Sequence, residues 1–158
     1  VPRQQHEARY AQPMIAVFTA LNRVLAKHRW GVLGRLGEEQ AQPKVGCRYA
    51  RQSRSVLRRG RVLEVIRPVS LTLYETLHDP PCRVRLQLRW RLHPIESGSL
   101  LHLTLCYQLN GAASLRQRHW HDRLRAHCVR MLEFVATDLE RPPAAPSSGL
   151  ETAQSRET

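Results

Sequence analysis

Between Cys82 and Pro94 the chain reads CRVRLQLRWRLHP, and two kinds of side chain alternate along it. Cys82, Val84, Leu86, Leu88, Trp90 and Leu92 occupy the even positions, with Arg83, Arg85, Gln87, Arg89, Arg91 and His93 between them. Successive side chains of an extended strand leave on opposite faces, so this period of two describes a strand with one dry side and one wet side. A layer must cover the leucine row. It cannot lie on the arginine row, because unpaired guanidinium groups buried there would cost several kcal/mol each.

The neighbouring segments repeat the pattern. VGCRYARQSRSVL, RVLEVI, VSLTLYETL, CRVRLQLRWRL and SLLHLTLCYQL are separated by RRG, RP, HDPP and HPIESG. Those breaks suit hairpins and are too short for crossover helices, which predicts an antiparallel meander of at least five strands. RQQHEARY, Arg3 to Tyr10, is a weaker edge-strand candidate with Ala8 and Tyr10 turned inward.

The covering layer is at the C-terminal end of the meander. From Leu115 to Glu140, Trp120, Leu124, Cys128, Met131, Val135 and Leu139 recur at helical spacing. A helix of that length spans ~39 Å, and an eleven-residue strand spans ~36 Å. The helix is therefore long enough to lie along the sheet. Nearer the N-terminus, Pro13 opens MIAVFTALNRVLAKHRW, where Ile15, Phe18, Leu21, Val24 and Leu25 mark one helix, or two short ones broken near Asn22. Gly31, Gly34 and Gly37 follow without the GK[ST] of a phosphate loop and read as a turn into a strand.

The expected fold is α+β: a curved antiparallel sheet wrapped around a long C-terminal helix, with two short helices near the N-terminus. One domain spans residues 1–141. Residues 142–158, rich in proline and serine and poor in large apolar side chains, are expected to form a disordered tail. The formal net charge is +12, and Arg outnumbers Lys 23 to 2. Such a charge favours polyanionic partners but does not choose a fold. No apolar run approaches the length of a membrane span and the first residues carry no secretory core, so a soluble, cytoplasmic protein is expected.

The order of elements resembles the START-like helix-grip superfamily, which includes birch-pollen-allergen relatives and the polyketide cyclase/dehydrase family. The likeness rests on Pro13 with Val17, Phe18 and Leu21, on Trp30, Gly46 and Tyr49, and on RGRVLEVIRPVSLTLYETL. In that segment Gly60, Val62, Glu64, Pro68 and Leu71 match a G-x-V-x-E…P…L pattern. GSLLHLTLCYQL and a last helix through Met131, Leu139 and Glu140 complete the match, over about residues 3 to 140. The resemblance implies an apolar cavity between sheet and terminal helix, open at one end, that holds a lipid, polyketide or quinone-like molecule.

Candidate cavity residues are Leu73, Leu86, Leu88, Trp90, Leu103, Leu105 and Tyr107 on the sheet, with Met131 and Val135 on the helix. By parity with Leu71, Leu73 and Leu77, Glu75 also turns inward. There it is either a general acid or base with a raised pKa, or an ion-pair member near the strand end, with Arg51 as the expected partner. His127 flanks the helix stripe and reaches toward the cavity mouth.

Metal binding is not expected. His119 and His121 point to opposite sides of the helix, and Cys47, Cys82, Cys106 and Cys128 lack metal-ligand spacing and read as reduced thiols. No cofactor is implied, and no nucleophilic triad is recognisable. Three functions follow in order of preference. The first is binding or transport of a small hydrophobic ligand. The second is docking on RNA or the ribosome through Arg83, Arg85, Arg89 and Arg91, although the aromatic interleaving useful for base stacking is missing from that row. The third is a cyclase- or hydrolase-type activity without metal.

Overall fold

The computed structural model describes residues 1–30 and 42–141. The glycine-rich stretch from Gly31 and the segment 142–158 lie outside the described residues. Six strands form one antiparallel sheet: β1 (Arg3–Tyr10), β2 (Arg48–Ser53), β3 (Val56–Ile66), β4 (Ser70–Asp79), β5 (Cys82–Ile95) and β6 (Gly98–Gly111). Their order is β1-β6-β5-β4-β3-β2, so a meander of five consecutive strands is completed by the first strand pairing with the last. Two helices cover one face: α1 (Met14–Leu25), and α2 (Gln117–Glu140) at the C-terminal end of the domain. This is an α+β helix-grip fold.

The alternation in β5 sorts as its chemistry demands. Val84, Leu86, Leu88, Trp90 and Leu92 are buried on the helix side, whereas Arg83, Arg85 and Arg91 are exposed and Arg89 is half-buried on the other. From β6 the inner row adds Leu101, Leu103, Leu105 and Tyr107, and from β4 it adds Leu71, Leu73 and Leu77. α2 presents Trp120, Leu124, Cys128, Met131 and Val135 to this surface. Each large apolar side chain taken from water there contributes about 1.5–3 kcal/mol.

α1 lies beside α2 and is clasped to it at successive levels. Arg23 forms a 2.8 Å ion pair with Asp138, and His28 stacks on Phe134 with ring centroids 4.7 Å apart. Val17, Phe18, Ala20, Leu21, Val24 and Leu25 are buried, but Ile15, expected inside, is exposed in the first turn of the helix. There is no break near Asn22. The helix runs to Leu25 and widens into a π-helical turn, Ala26–Trp30.

Two other boundaries differ from expectation. Arg58-Arg59-Gly60 does not separate strands: the β2–β3 turn falls at Arg54-Ser55, with Arg54 at φ 56°, and β3 runs straight through the RRG triplet. The terminal helix begins at Gln117 after a 3₁₀ turn, Ala112–Arg116, which leaves Leu115 exposed. A β-bulge between Val62 and Glu64 shifts the register of β3 against β4, a feature that increases local twist and bending.

Candidate functional site

Pairing register places Tyr49, Gly60, Glu75, Leu86 and Tyr107 in one row across β2 to β6, on the face beneath the helices. Four of the five are an ordinary inner row, but Glu75 is a carboxylate with no exposure at all. An unpaired charge there would be prohibitive. Three elements converge to pair it. Tyr49 on β2 donates its hydroxyl to Oε2 at 2.7 Å, and Arg58 on β3 donates Nη1 to Oε1 at 2.7 Å. Arg29, from the π-helical turn after α1, sets its Nε 2.9 Å from Oε2.

Gly60 makes the first of these bonds sterically feasible. It stands between Tyr49 and Glu75 in the row, and a Cβ at position 60 would collide with the Tyr49 ring. The missing side chain lets the phenol cross β3 to reach β4. In Arg29 the network continues into α2, because its Nη2 lies 2.6 Å from Nε2 of His127. A guanidinium only donates, so this imidazole nitrogen accepts and the ring carries its proton on Nδ1.

Burial and charge set the protonation states. The two arginines and the Tyr49 hydroxyl outweigh the desolvation that would raise the Glu75 carboxyl, and they hold it below the usual carboxylate range. Burial, reinforced by the nearby Arg29 and Arg58, pushes His127 well below its usual value. Tyr49 is raised by burial and by the adjacent carboxylate. Burial also raises the Cys128 thiol beside this cluster to about 12. Glu75 is thus a fixed anion rather than the proton donor that burial alone would make it, and His127 is a neutral acceptor.

Arg51 is not the partner of Glu75. It sits one step further along β2, past Tyr49, and its guanidinium instead caps the Lys27 carbonyl at 2.6 Å. Nor does Glu75 sit at a strand end; it occupies the middle of β4. Of the other sequence candidates, Leu73, Leu86, Leu88, Trp90, Leu103, Leu105, Tyr107, Met131 and Val135 are all buried between sheet and helices. His127 is half-buried and joins the cluster. Arg29 and Arg58 escaped sequence reasoning, although Arg29 continues the Leu21–Leu25 stripe and Arg58 shares parity with the buried Val62.

A second polar group ties β1 to α2. Tyr107 donates to Nδ1 of His121 at 2.8 Å, and Gln4 donates to the His121 carbonyl at 2.9 Å. His6, 3.0 Å from Oε1 of Gln4, fixes the amide orientation. Four buried polar atoms on the helix-facing side make no hydrogen bond among the described residues: Asn22 Oδ1, Trp90 Nε1, Trp120 Nε1, and Arg29 Nε, whose contact with Glu75 is an ion pair. An open groove of about 570 Å³ also runs between β1 and the C-terminal half of α2, past Tyr10, Val129, Leu132 and Ala136. Its carboxylates, Glu7, Glu133 and Glu140, are exposed, and it contains no member of the Glu75 cluster. Among the described residues no cluster of metal-ligating side chains forms, and no helix is long and apolar enough to cross a membrane.

The fold and the cluster together define a helix-grip protein whose interior carries a fixed ionic centre. No protein-family model matches the chain, and no curated protein matches it. Solved structures do share the fold. Protein MLL2253 from Mesorhizobium loti superposes with a TM-score of 0.67 at 18% identity, covering 90% of this chain and 99% of that one. A conserved protein from Geobacillus kaustophilus gives 0.62 at 14% identity, over 87% of this chain and 93% of its own. DynU16, a putative protein in the dynemicin biosynthetic locus, gives 0.60 at 14% identity, over 87% of this chain but 47% of its own. These similarities bear on fold, and none of them supports RNA or the ribosome as a partner.

Proposed function

We propose that the chain binds a small hydrophobic molecule between the inner face of its sheet and α2. The observation that carries this reading is the ionic cluster of Glu75, Arg29, Arg58, Tyr49 and His127, sunk in an otherwise apolar interior and reaching solvent only at Arg58 and His127. Replacing a buried ion pair by packed apolar side chains is often neutral or stabilising. A cluster kept at that expense beside a continuous apolar surface suits recognition, where apolar area supplies affinity and a few polar groups set orientation. The unpartnered Asn22 Oδ1 and Trp90 Nε1 add hydrogen-bonding capacity to the same interior. The helix-grip architecture, shared with a protein from a biosynthetic locus, supports the same reading.

Binding fits the cluster better than catalysis does. Glu75 is held as an anion by two guanidinium groups and is a weak base, and the Nε2 of His127 is occupied by Arg29. The test is a titration of intrinsic fluorescence with fatty acids and aromatic polyketides. Trp90 and Trp120 are both buried and inward, so an interior ligand quenches or shifts their emission saturably. Absence of any saturable change across both compound classes would contradict the reading.

A further inference from the structure

The charges of the cluster do not balance. Glu75 contributes one negative charge, and Arg29 and Arg58, with side chains only 3% and 16% exposed, contribute two positive ones. His127 adds no compensation, because its Nε2 accepts from Arg29. Lys27 and Arg130 stand near this centre, their charges acting on His28 and His127, and no further carboxylate of the described residues pairs with the cluster. A surplus cation in an apolar interior is costly unless an anion joins it.

The donors that remain are on Arg58. Its Nη1 is engaged by Glu75, whereas its Nε and Nη2 have no partner among the described residues, and this guanidinium is the more exposed of the two. Arg29, by contrast, is almost fully buried, with its Nε in the ion pair with Glu75 and its Nη2 against His127. A planar guanidinium with two free N–H groups on one edge matches the two oxygens of a carboxylate.

Resting on the ligand-binding reading above, we infer that the ligand is a monoanionic amphiphile, an apolar molecule with one carboxylate group, whose anion docks on the free edge of Arg58 and supplies the negative charge missing from the Arg29–Glu75–Arg58 centre. Its apolar body extends from there into the interior site proposed above. A free small carboxylate lacks that body and binds weakly. A neutral analogue keeps the apolar contacts but leaves the surplus charge uncompensated.

The experiment compares decanoate, decanol and acetate at neutral pH and moderate salt, read by tryptophan fluorescence and calorimetry. Decanoate is expected to bind about tenfold or more tighter than decanol, the range of one charge-assisted contact, with acetate far weaker than either. Arg58→Gln abolishes the preference for decanoate, and Arg58→Lys retains most of it. Arg83→Gln with Arg85→Gln, on the outer face, leaves it unchanged. Equal affinity for decanoate and decanol overturns the inference while leaving the ligand-binding reading intact, and this comparison needs no variant should Arg58→Gln fail to fold. A preference that survives Arg58→Gln, or that disappears with the outer-face pair, also overturns it. Binding of neither compound sinks the ligand-binding reading and this inference with it.

Discussion

The phenol ring of Tyr49 lies over Gly60, in the space a Cβ would fill, and this close approach carries its hydroxyl across β3 to Glu75. Gly60→Ala therefore expels the ring and weakens the cluster. The expected loss is about 1–3 kcal/mol of unfolding free energy, the scale of overpacking a core site. In a Tyr49→Ala background the same change is expected to be nearly neutral. Urea denaturation of the four proteins of this double-mutant cycle measures the difference.

Glu75 is the one carboxylate that both guanidinium groups share, so removing it alone leaves both without a counter-ion. Glu75→Leu is expected to cost about 3–5 kcal/mol. The triple change Glu75→Leu, Arg29→Met, Arg58→Leu removes the whole ionic centre and is expected to be less destabilising than Glu75→Leu alone. Chemical denaturation of the single and triple variants checks the order. A triple variant weaker than the single one would mean that the arginine stems, not their charges, hold this region together.

Acid lability follows from His127. Its folded-state pKa lies well below 6.5, whereas in the unfolded chain the ring titrates near 6.5. The unfolded state therefore binds more protons as pH falls through the unfolded value, and native stability declines from about pH 6.5 downward. His6 and His28 are shifted in the same direction and add to the slope. Glu75 enters at lower pH, where its stabilisation is lost as pH falls through its own depressed pKa. Melting temperature measured from pH 8 to about 5 is expected to fall, with a shallower fall in His127→Gln, which keeps an acceptor for Arg29.

Thiol reactivity reports on the core. Cys82 and Cys128 are buried, and burial raises the Cys128 thiol to about 12, whereas Cys47 and Cys106 are half-exposed. An aromatic disulfide reagent is expected to label Cys47 and Cys106 in the native protein and Cys128 only when the fold opens. Peptide mapping after timed labelling distinguishes the four.

The sheet and its polarity were legible because parity propagates: once β5 is drawn, Arg83 to Arg91 must face water and Leu86 to Leu92 must face a helix. The same parity turned Glu75 inward correctly. Its partners were hidden for local reasons. RRG carries a turn signature, so β3 was cut at Arg58, and Gly60 was read as punctuation when its role is to make room for Tyr49. Arg29 continues the Leu21–Leu25 stripe but is charged, so a search for apolar periodicity passes over it, and cross-strand register, which aligns Tyr49 with Glu75, is a tertiary property. Ile15 is exposed in the first turn of α1, where helical spacing alone cannot say which end residues are covered.

The claim on which the account turns is that the interior holds a small molecule beside the Glu75 cluster. Native mass spectrometry of the purified chain, set against its denatured mass, tests it most directly. The account predicts a bound species of small-molecule mass that is released on denaturation and reduced in occupancy by Arg58→Gln. A native mass equal to the bare chain, unchanged after incubation with hydrophobic carboxylates, would contradict it.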